Sequence, residues 1–266
     1  MTPLTFGSVR FDAELVVFDK DGTLTDFEAM WGRLAAAWVE RLTVHAGDAA
    51  LRRELYHALG YDPQQQRTRP QSPLVIASEE QLLTIAAAVL YRRGVSWPGA
   101  ERRVQSAYQR AVADLPLSDR VRAAGDVAGL LQRLRDAGVR VAVVTIDMRQ
   151  ATEEILRILG IADRVDHLVC GDDGLPWKPA PDMLLAACER LGVEPARTAV
   201  VGDTVADLEM ARRAGAGLAV AVLSGTDHPS LLAAQADAVL RSIDEIDIQV
   251  MPTNEEGRTT KDKQRV

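Results

Sequence analysis

The chain has 266 residues, of which 47% are hydrophobic, so it can bury the core of one large domain or of two smaller ones. A formal net charge of −7 argues against a general nucleic-acid or anionic-membrane binder, because such proteins carry a basic patch or stripe. The two cysteines, Cys170 and Cys188, have neither CxxC spacing nor a partnering histidine cluster, which argues against disulfides and zinc. No stretch of 18 apolar residues and no basic-then-apolar leader occurs, so we expect a cytoplasmic protein without membrane contact.

In chain order, three short Val-rich runs predict strands that are buried on both faces, at residues 15–19, 139–145 and 198–203. Weaker strand candidates lie at residues 165–169, 218–223 and 238–240. Helical patterns alternate with these runs, at residues 125–138, 148–160, 180–192 and 205–215. Because crossover helices join parallel strands, this alternation predicts an open α/β sheet.

Residues 27–118 differ from the rest of the chain because they contain long helical patterns and no convincing strand. We expect an inserted helical module, with Asp26 as the N-cap of its first helix and further helices at residues 48–59, 78–93 and 98–113. Met30, Trp31 and Trp38 on that first helix fit an apolar core stripe. A Pro- and Gln-rich loop interrupts the module at residues 60–73, and the tail from residue 249 is expected to be disordered.

Polar residues follow each of the three Val-rich runs. Asp19 and Asp21 end the first run, Thr145 ends the second, and Asp203 ends the third, with Asp207 in the first turn of the next helix. Lys178 stands before a helix in the intervening loop. Because ligands bind outside the carboxyl ends of the strands in open α/β sheets, we expect these side chains to converge there.

This set of residues has a chemical logic. Oxygen ligands from Asp19, the backbone near Asp21, and Asp203 suit Mg²⁺, and Thr145 and Lys178 can hold phosphate oxygens. Asp19 can then attack phosphorus, while Asp21 protonates the leaving oxygen and later activates water. Gly22 allows a sharp turn at this point, and Thr23 adds a hydroxyl group.

The four segments resemble the motifs of the haloacid dehalogenase superfamily of phosphohydrolases: DKDGT at 19–23, VAVVT at 141–145, KPAPDM at 178–183 and GDTVAD at 202–207. The resemblance covers roughly residues 12–225 and is strongest to the phosphoglycolate phosphatase branch. It implies a Rossmann-like three-layer α/β/α core made of residues 1–26 and 119–248, with a helical cap at residues 27–118. It also implies Mg²⁺ bound by Asp19, the Asp21 carbonyl and Asp203, with Asp207 in support, and a small phosphorylated metabolite as substrate.

Two positions depart from expectation. After Thr145 the family often has Asn and a small or basic residue, whereas this chain has Ile146 and Asp147. We expect the Ile146 amide to donate to the phosphate group and Asp147 to cap the following helix. If Asp147 instead faced the phosphate, charge repulsion would weaken binding. Lys20 lies between the two aspartates, but the alternation of a strand points its side chain away from both.

Lysine is rare in this chain: among 31 Lys plus Arg only four are lysines, and only Lys20 and Lys178 precede residue 249. The positions of these two lysines are therefore informative. A compact ammonium group at position 178 suits phosphate and carboxylate, and a planar guanidinium does not replace it. Arg67 and Arg69 in the cap loop are candidates for substrate specificity, and Trp177 for a wall of the site.

Phosphate-ester hydrolysis is the leading interpretation, because Asp21 is an acid where the dehalogenase and phosphonatase types of the family lack one. A phosphosugar mutase of the same superfamily would use the same motifs. A non-catalytic binding protein is disfavoured by the intact motifs. The sequence does not indicate the oligomeric state or the physiological substrate.

Overall fold

The computed structural model describes residues 3–44, 48–225 and 228–248. The tail from residue 249, for which we predicted disorder, lies outside the described residues.

Eleven strands are present in the described residues: β1 Leu4–Phe6, β2 Val9–Phe11, β3 Leu15–Phe18, β4 Tyr61–Asp62, β5 Arg67–Thr68, β6 Arg140–Val144, β7 His167–Val169, β8 Thr198–Gly202, β9 Leu218–Val222, β10 Ala238–Leu240 and β11 Ile246–Ile248. The α-helices of the same residues are α1 Arg33–Thr43, α2 Ala49–Leu59, α3 Pro73–Ile76, α4 Glu79–Arg92, α5 Trp97–Asp114, α6 Leu117–Arg120, α7 Val127–Asp136, α8 Arg149–Ile158, α9 Asp182–Leu191, α10 Val205–Ala214 and α11 Pro229–Ala233. A π-helical turn, Glu28–Gly32, precedes α1.

A six-stranded parallel sheet in the order β10-β9-β8-β3-β6-β7 forms the centre of the molecule. The chain runs from β3 outward to β6 and β7, and then returns to build β8, β9 and β10 on the other side. Alternate residues of β3 pack into different clusters: Val16 and Phe18 into one, Leu15 and Val17 into the other. Both faces of the sheet are therefore buried, as the continuous apolar runs predicted, and the parallel α/β class is confirmed.

A small antiparallel sheet was not predicted. Strands β2 and β11 both pair with β1, so the two ends of the described chain meet. Leu4 and Phe6 of β1 are fully buried in the same cluster as Val16 and Phe18. Three-residue strands carry too little periodicity to be recognised from sequence, and their pairing partners lie far apart in the chain.

The helical module has a hydrophobic cluster of its own. Trp38 stands in it at 2% exposure, with its indole N–H donating to the Val104 carbonyl at 3.2 Å. Met30 is equally buried, so both are core residues as predicted, but Met30 packs with Val121 and Ile155 outside the cluster of the module. Asp26 Oδ1 accepts from the Ala29 amide at 3.0 Å, but the first helical residues form the π-helical turn rather than an α-helix.

The Pro- and Gln-rich loop corrects one expectation, because it contains strands. Strands β4 and β5 pair as a short antiparallel hairpin. A tertiary contact holds this hairpin: Glu28 accepts from the Thr68 amide at 2.7 Å and from the Thr68 hydroxyl at 3.0 Å. Because the partner lies 40 residues away, local sequence gives no sign of it.

Across the described ranges, no helix is long and apolar enough to cross a membrane.

Candidate functional site

Three carboxylates meet at the carboxyl edge of the parallel sheet. Asp19 follows β3, Asp203 follows β8, and Asp207 lies in the first turn of α10. The two strands are neighbours in register, and the Asp19 amide donates to the Val201 carbonyl at 2.9 Å. One carboxylate oxygen from each aspartate lies within 4.8 Å of the others. The position coincides with the reversal of strand order, which is where open α/β sheets bind ligands.

Lys178 bridges two of these carboxylates. Its Nζ lies 2.5 Å from Asp19 Oδ1 and 2.6 Å from Asp207 Oδ1, and its side chain is 6% exposed. Burial alone lowers the pKa of this ammonium, but Asp19 and Asp207 reverse that effect and raise it above its usual value. Lys178 is therefore a fixed positive charge in the described site.

Burial is also the main reason why the pKa of Asp19 is raised to about 7. Lys178 opposes this rise, whereas Asp207 and Asp21 add to it by charge repulsion. A second positive charge at this position would favour the ionised carboxylate.

The residues fit a bound Mg²⁺ ion. Asp203 is fully buried and Asp207 is 1% exposed, so three carboxylates share a low-dielectric space with the single Lys178 ammonium. Gly22, at a φ of +85°, and Gly225 both pack closely against Asp203, since a Cβ atom at either position would overlap the Asp203 carboxylate. Carboxylate oxygens in a small, preformed cradle are the donors that Mg²⁺ takes.

Asp207 is engaged on both of its oxygens. Oδ1 binds Lys178, and Oδ2 accepts from the Thr204 hydroxyl at 2.5 Å and the Thr204 amide at 3.1 Å. The second pair of bonds is the capping box of α10, which fixes the side chain at the start of that helix. Asp207 therefore supports Lys178, whereas Asp19 and Asp203 are better placed as direct metal ligands.

The Asp21 carboxylate is held by two hydrogen bonds. Oδ1 accepts from the Thr25 hydroxyl at 2.8 Å and Oδ2 from Lys20 Nζ at 2.5 Å, and the Trp31 side chain lies near enough to favour the ionised carboxylate as well. Burial works against the ionised form, but Lys20 and the hydrogen bonds prevail, so the pKa of Asp21 lies below its usual value.

Lys20 contradicts the orientation that strand alternation predicted. Its side chain is fully buried and its Nζ contacts Asp21 Oδ2 at 2.5 Å and Asp147 Oδ2 at 2.9 Å. The reason is that β3 ends at Phe18, so Lys20 lies in the turn, where the alternation of a strand no longer applies.

The predicted helix cap at Asp147 is also wrong. Helix α8 begins at Arg149, and the Arg149 amide donates to Asp172 Oδ1 at 2.9 Å. Asp172, 23 residues further along, thus takes the capping contact. The Asp147 side chain turns instead to Lys20, and burial raises the pKa of its carboxyl group although Lys20 lowers it.

The remaining candidates for phosphate contact lie around the same edge. Thr145 is 2% exposed at the end of β6, and its hydroxyl accepts from the Asp147 amide at 3.2 Å. Thr23 is fully buried and donates to Asp203 Oδ1 at 3.3 Å. Ile146 follows Thr145 directly, with its carbonyl packed against Gly171. The role of these residues and of Gly22 toward phosphate stays a prediction.

The three candidates for specificity lie in or next to the hairpin of β4 and β5 and in the loop before α9. Arg67 is exposed on β5, and Arg69 Nη1 is hydrogen-bonded with His57 Nδ1 at 3.2 Å inside the helical module. Trp177 is 42% exposed and its indole N–H donates to the Gly171 carbonyl at 2.8 Å. These contacts leave their role in substrate selection as a prediction.

Two residues beside the Asp21 carboxylate, Thr25 and Trp31, could not be assigned to the site from the sequence. The helical spacing predicts Trp31 in the core stripe, but its side chain is only partly buried and reaches from the module to Asp21. It stands in the π-helical turn Glu28–Gly32, a rare element that is frequent at functional sites. No sequence signal marks that turn. Ser224 was also missed, and its hydroxyl donates to the Gly22 carbonyl at 2.8 Å.

The family model of the haloacid dehalogenase-like hydrolases matches residues 13–215. The chain is 41% identical over 100 residues to an N-acetylmuramic acid 6-phosphate phosphatase of Pseudomonas aeruginosa, which covers 38% of this chain and 44% of the relative. It is 38% identical over 92 residues to a phosphoglycolate phosphatase of Aquifex aeolicus, covering 35% and 43% respectively. The matched segments thus span less than half the length of these two relatives.

Among solved structures, a hydrolase of subfamily IA of the same superfamily from Geobacter sulfurreducens superposes with a TM-score of 0.61. The superposition covers 87% of this chain and 93% of the other at 20% identity, a likeness that shows the fold. The family model spans most of the chain and includes all four motif segments at the sheet edge. The chain belongs to the haloacid dehalogenase-like hydrolase family.

Proposed function

We propose that this protein is a Mg²⁺-dependent phosphatase that hydrolyses monoesters of a small phosphorylated metabolite through an aspartyl-phosphate intermediate. The observation that carries the proposal is the buried group formed by Asp19, Asp203, Asp207 and Lys178, with Asp21 beside it at the same sheet edge. Three carboxylates around one ammonium need a further cation, and an ammonium fixed against the proposed nucleophile suits a dianionic phosphoryl group.

In this proposal, Asp19, the Asp21 carbonyl and Asp203 hold the Mg²⁺ ion, which supplies positive charge to the phosphoryl oxygens. Lys178 offers its ammonium to one of these oxygens, and Thr145 with the Ile146 amide offers hydrogen bonds to the others. An Asp19 oxygen attacks phosphorus, and the bond between phosphorus and the leaving oxygen breaks.

Asp21 transfers the protons. Lys20 favours its ionised form in the free protein, and the negative charge of a bound phosphoryl group raises the pKa of Asp21, so that it carries a proton when the ester is bound. It gives one to the leaving oxygen as the ester bond breaks, and it then takes one from the water that attacks the phosphorus of the Asp19 phosphoester. Phosphate leaves and the Asp19 carboxylate is restored. The location of Asp21 two residues from Asp19 on the same turn allows it to serve both steps.

We also propose that residues 27–118 act as a cap over the catalytic core formed by residues 1–26 and 119–248. The separate hydrophobic cluster of this module and the Trp31 contact with Asp21 support that role. The names of the relatives suggest phosphorylated sugars and phosphoglycolate as the first substrates to test. Arg67, Arg69 and Trp177 are the proposed contributors to specificity.

The test is phosphate release from p-nitrophenyl phosphate with Mg²⁺, followed by a panel that includes N-acetylmuramic acid 6-phosphate and phosphoglycolate. We expect turnover that EDTA abolishes and that Asp19→Asn lowers by at least about 10³-fold, because the nucleophile is lost. Full activity in Asp19→Asn would contradict the nucleophile assignment. Interconversion of sugar phosphates with little free phosphate would indicate a mutase instead.

A further inference from the structure

Lys20 is a buried charged residue beside the site that has no role in the mechanism proposed above. Its ammonium is fully buried between two carboxylates, at 2.5 Å from Asp21 Oδ2 and 2.9 Å from Asp147 Oδ2. A buried lysine is costly unless its charge is compensated, and this one has two acids around it. The two positions that the sequence left unexplained, Lys20 and Asp147, are therefore partners.

This contact joins two loops of the site. Asp21 lies in the turn after β3, and Asp147 lies in the turn after β6, which is the strand beside β3 in register. The Asp147 amide also donates to Thr145 Oγ1 at 3.2 Å. Lys20 thus fixes the position of the Asp21 carboxylate relative to the loop that carries Thr145.

The charges explain why the bridge matters. Asp21 is near enough to Asp147 to raise the pKa of the Asp147 carboxyl group by charge repulsion, so without Lys20 the two carboxylates would repel. The other side chains beside the Asp21 carboxylate, Thr25 and Trp31, are neutral.

The buried Arg120 does not replace Lys20. Its Nε donates to the Leu115 carbonyl at 2.8 Å and its Nη1 to the Met30 carbonyl at 3.2 Å. These bonds commit its guanidinium to the backbone carbonyls of Leu115 and Met30. Lys20 is therefore the cation in direct contact with Asp21 in the described chain.

We propose that Lys20 and Asp147 form a positioning pair that holds the Asp21 carboxyl group where it can protonate the leaving oxygen. The inference rests on the proposed phosphatase function and adds two residues to it. Neither residue touches the reacting atoms; both act through Asp21. The pair should therefore matter most when the leaving group needs a proton, and little when it does not.

Two aryl esters of similar size separate these cases. Phenyl phosphate releases a basic phenolate that needs a proton, whereas 2,4-dinitrophenyl phosphate releases a stable anion that does not. The measurement is kcat/KM with Mg²⁺, which reports the steps up to transfer of the phosphoryl group to Asp19. General damage to the site lowers both values together, but a misplaced Asp21 lowers only the first.

For Lys20→Met we expect kcat/KM to fall roughly 100-fold with phenyl phosphate and less than about 5-fold with 2,4-dinitrophenyl phosphate. For Asp147→Asn, which keeps the contact between Lys20 and Asp21, we expect about 10-fold and about 2-fold falls. The double variant should match Lys20→Met within about 3-fold, because residues that act as one unit are not additive. Asp163→Asn, at an exposed carboxylate, is the matched control and should change neither value more than about 2-fold.

Equal falls of kcat/KM with both esters would overturn the positioning role. A fall in the double variant that equals the product of the falls in the two single variants would overturn it as well. If Lys20→Met does not fold, as judged by circular dichroism, the leaving-group dependence of Asp147→Asn decides in the same way. Wild-type protein that hydrolyses neither ester would refute the proposed function itself. Wild-type hydrolysis of both esters without any leaving-group effect of the variants would refute only the role of the pair.

Discussion

Removing the ammonium at position 178 is the sharpest perturbation that the site offers. In the wild type, Lys178 Nζ lies within 2.6 Å of one oxygen each of Asp19 and Asp207, and its side chain is 6% exposed. Lys178→Met keeps much of the volume but leaves these carboxylates without their cation. Breaking a buried ion pair on one side costs about 3–5 kcal/mol of unfolding free energy.

The loss of stability in Lys178→Met should depend on pH, and the direction of this dependence follows from the protonation of Asp19. The pKa of Asp19 is about 7 in the folded protein and 3.8 is its ordinary value, so near pH 6 the folded wild type already carries a proton there. Without Lys178 the pKa rises further, and the folded variant keeps that proton to higher pH. The unfolded chain is deprotonated throughout this range, so the variant loses stability relative to wild type as the pH rises. With a wild-type pKa near 7, the deficit grows by about 1.4 kcal/mol between about pH 6 and pH 8.

Urea unfolding of the metal-free proteins at both pH values measures this deficit. Arg241→Met is the matched control, because Arg241 is 87% exposed and solvent screens its pairing with Glu245, so this pair should contribute little to stability. If the Lys178→Met loss is no larger than the control loss, or does not change with pH, Lys178 does not stabilise the folded protein through Asp19. Lys178→Arg keeps the charge but not the compact geometry, so turnover should fall at least about 100-fold. Near-normal turnover in that variant would show that only the charge matters.

Three further predictions concern other parts of the molecule. Gly22→Ala should lower turnover with Mg²⁺ about 10-fold or more and raise the Mg²⁺ concentration needed for half-maximal activity, because the new Cβ overlaps Asp203. An unchanged Mg²⁺ titration would contradict this. Trp38→Ala should cost about 3–5 kcal/mol in a urea titration, because it leaves a cavity in the module and the Val104 carbonyl without its donor; a loss below about 1 kcal/mol would show that the module tolerates the gap. Asp172→Ala should cost about 0.5–2 kcal/mol of unfolding free energy, because it removes the acceptor at the start of α8. Asp147→Ala should not remove a capping contact from α8, and hydrogen exchange in the first turn of that helix measures the difference between the two variants.

The amino-acid pattern specifies the class of the fold. Strands such as Leu15–Phe18 and Thr198–Gly202 are short, Val-rich and continuous, and that pattern is typical of strands that are buried on both faces. Their parallel arrangement follows from the helices between them, and it places the polar residues after each strand at one edge. The meeting of Asp19, Asp203 and Lys178 could be foreseen on this basis, because each lies at a strand end or in the loop before a helix.

The contacts of the neighbouring charged residues depend on long-range packing. Strand alternation is a local rule that stops at Phe18, so it could not show that Lys20 turns back to Asp21 and across to Asp147. The Trp31 contact depends on a π-helical turn and on the placement of the helical module, which no local pattern encodes. Pairing of Leu4–Phe6 with Ile246–Ile248 likewise joins segments whose separation in the chain hides their relation. The periodicity of apolar residues specifies which faces are buried, whereas the partner of each polar group depends on long-range packing.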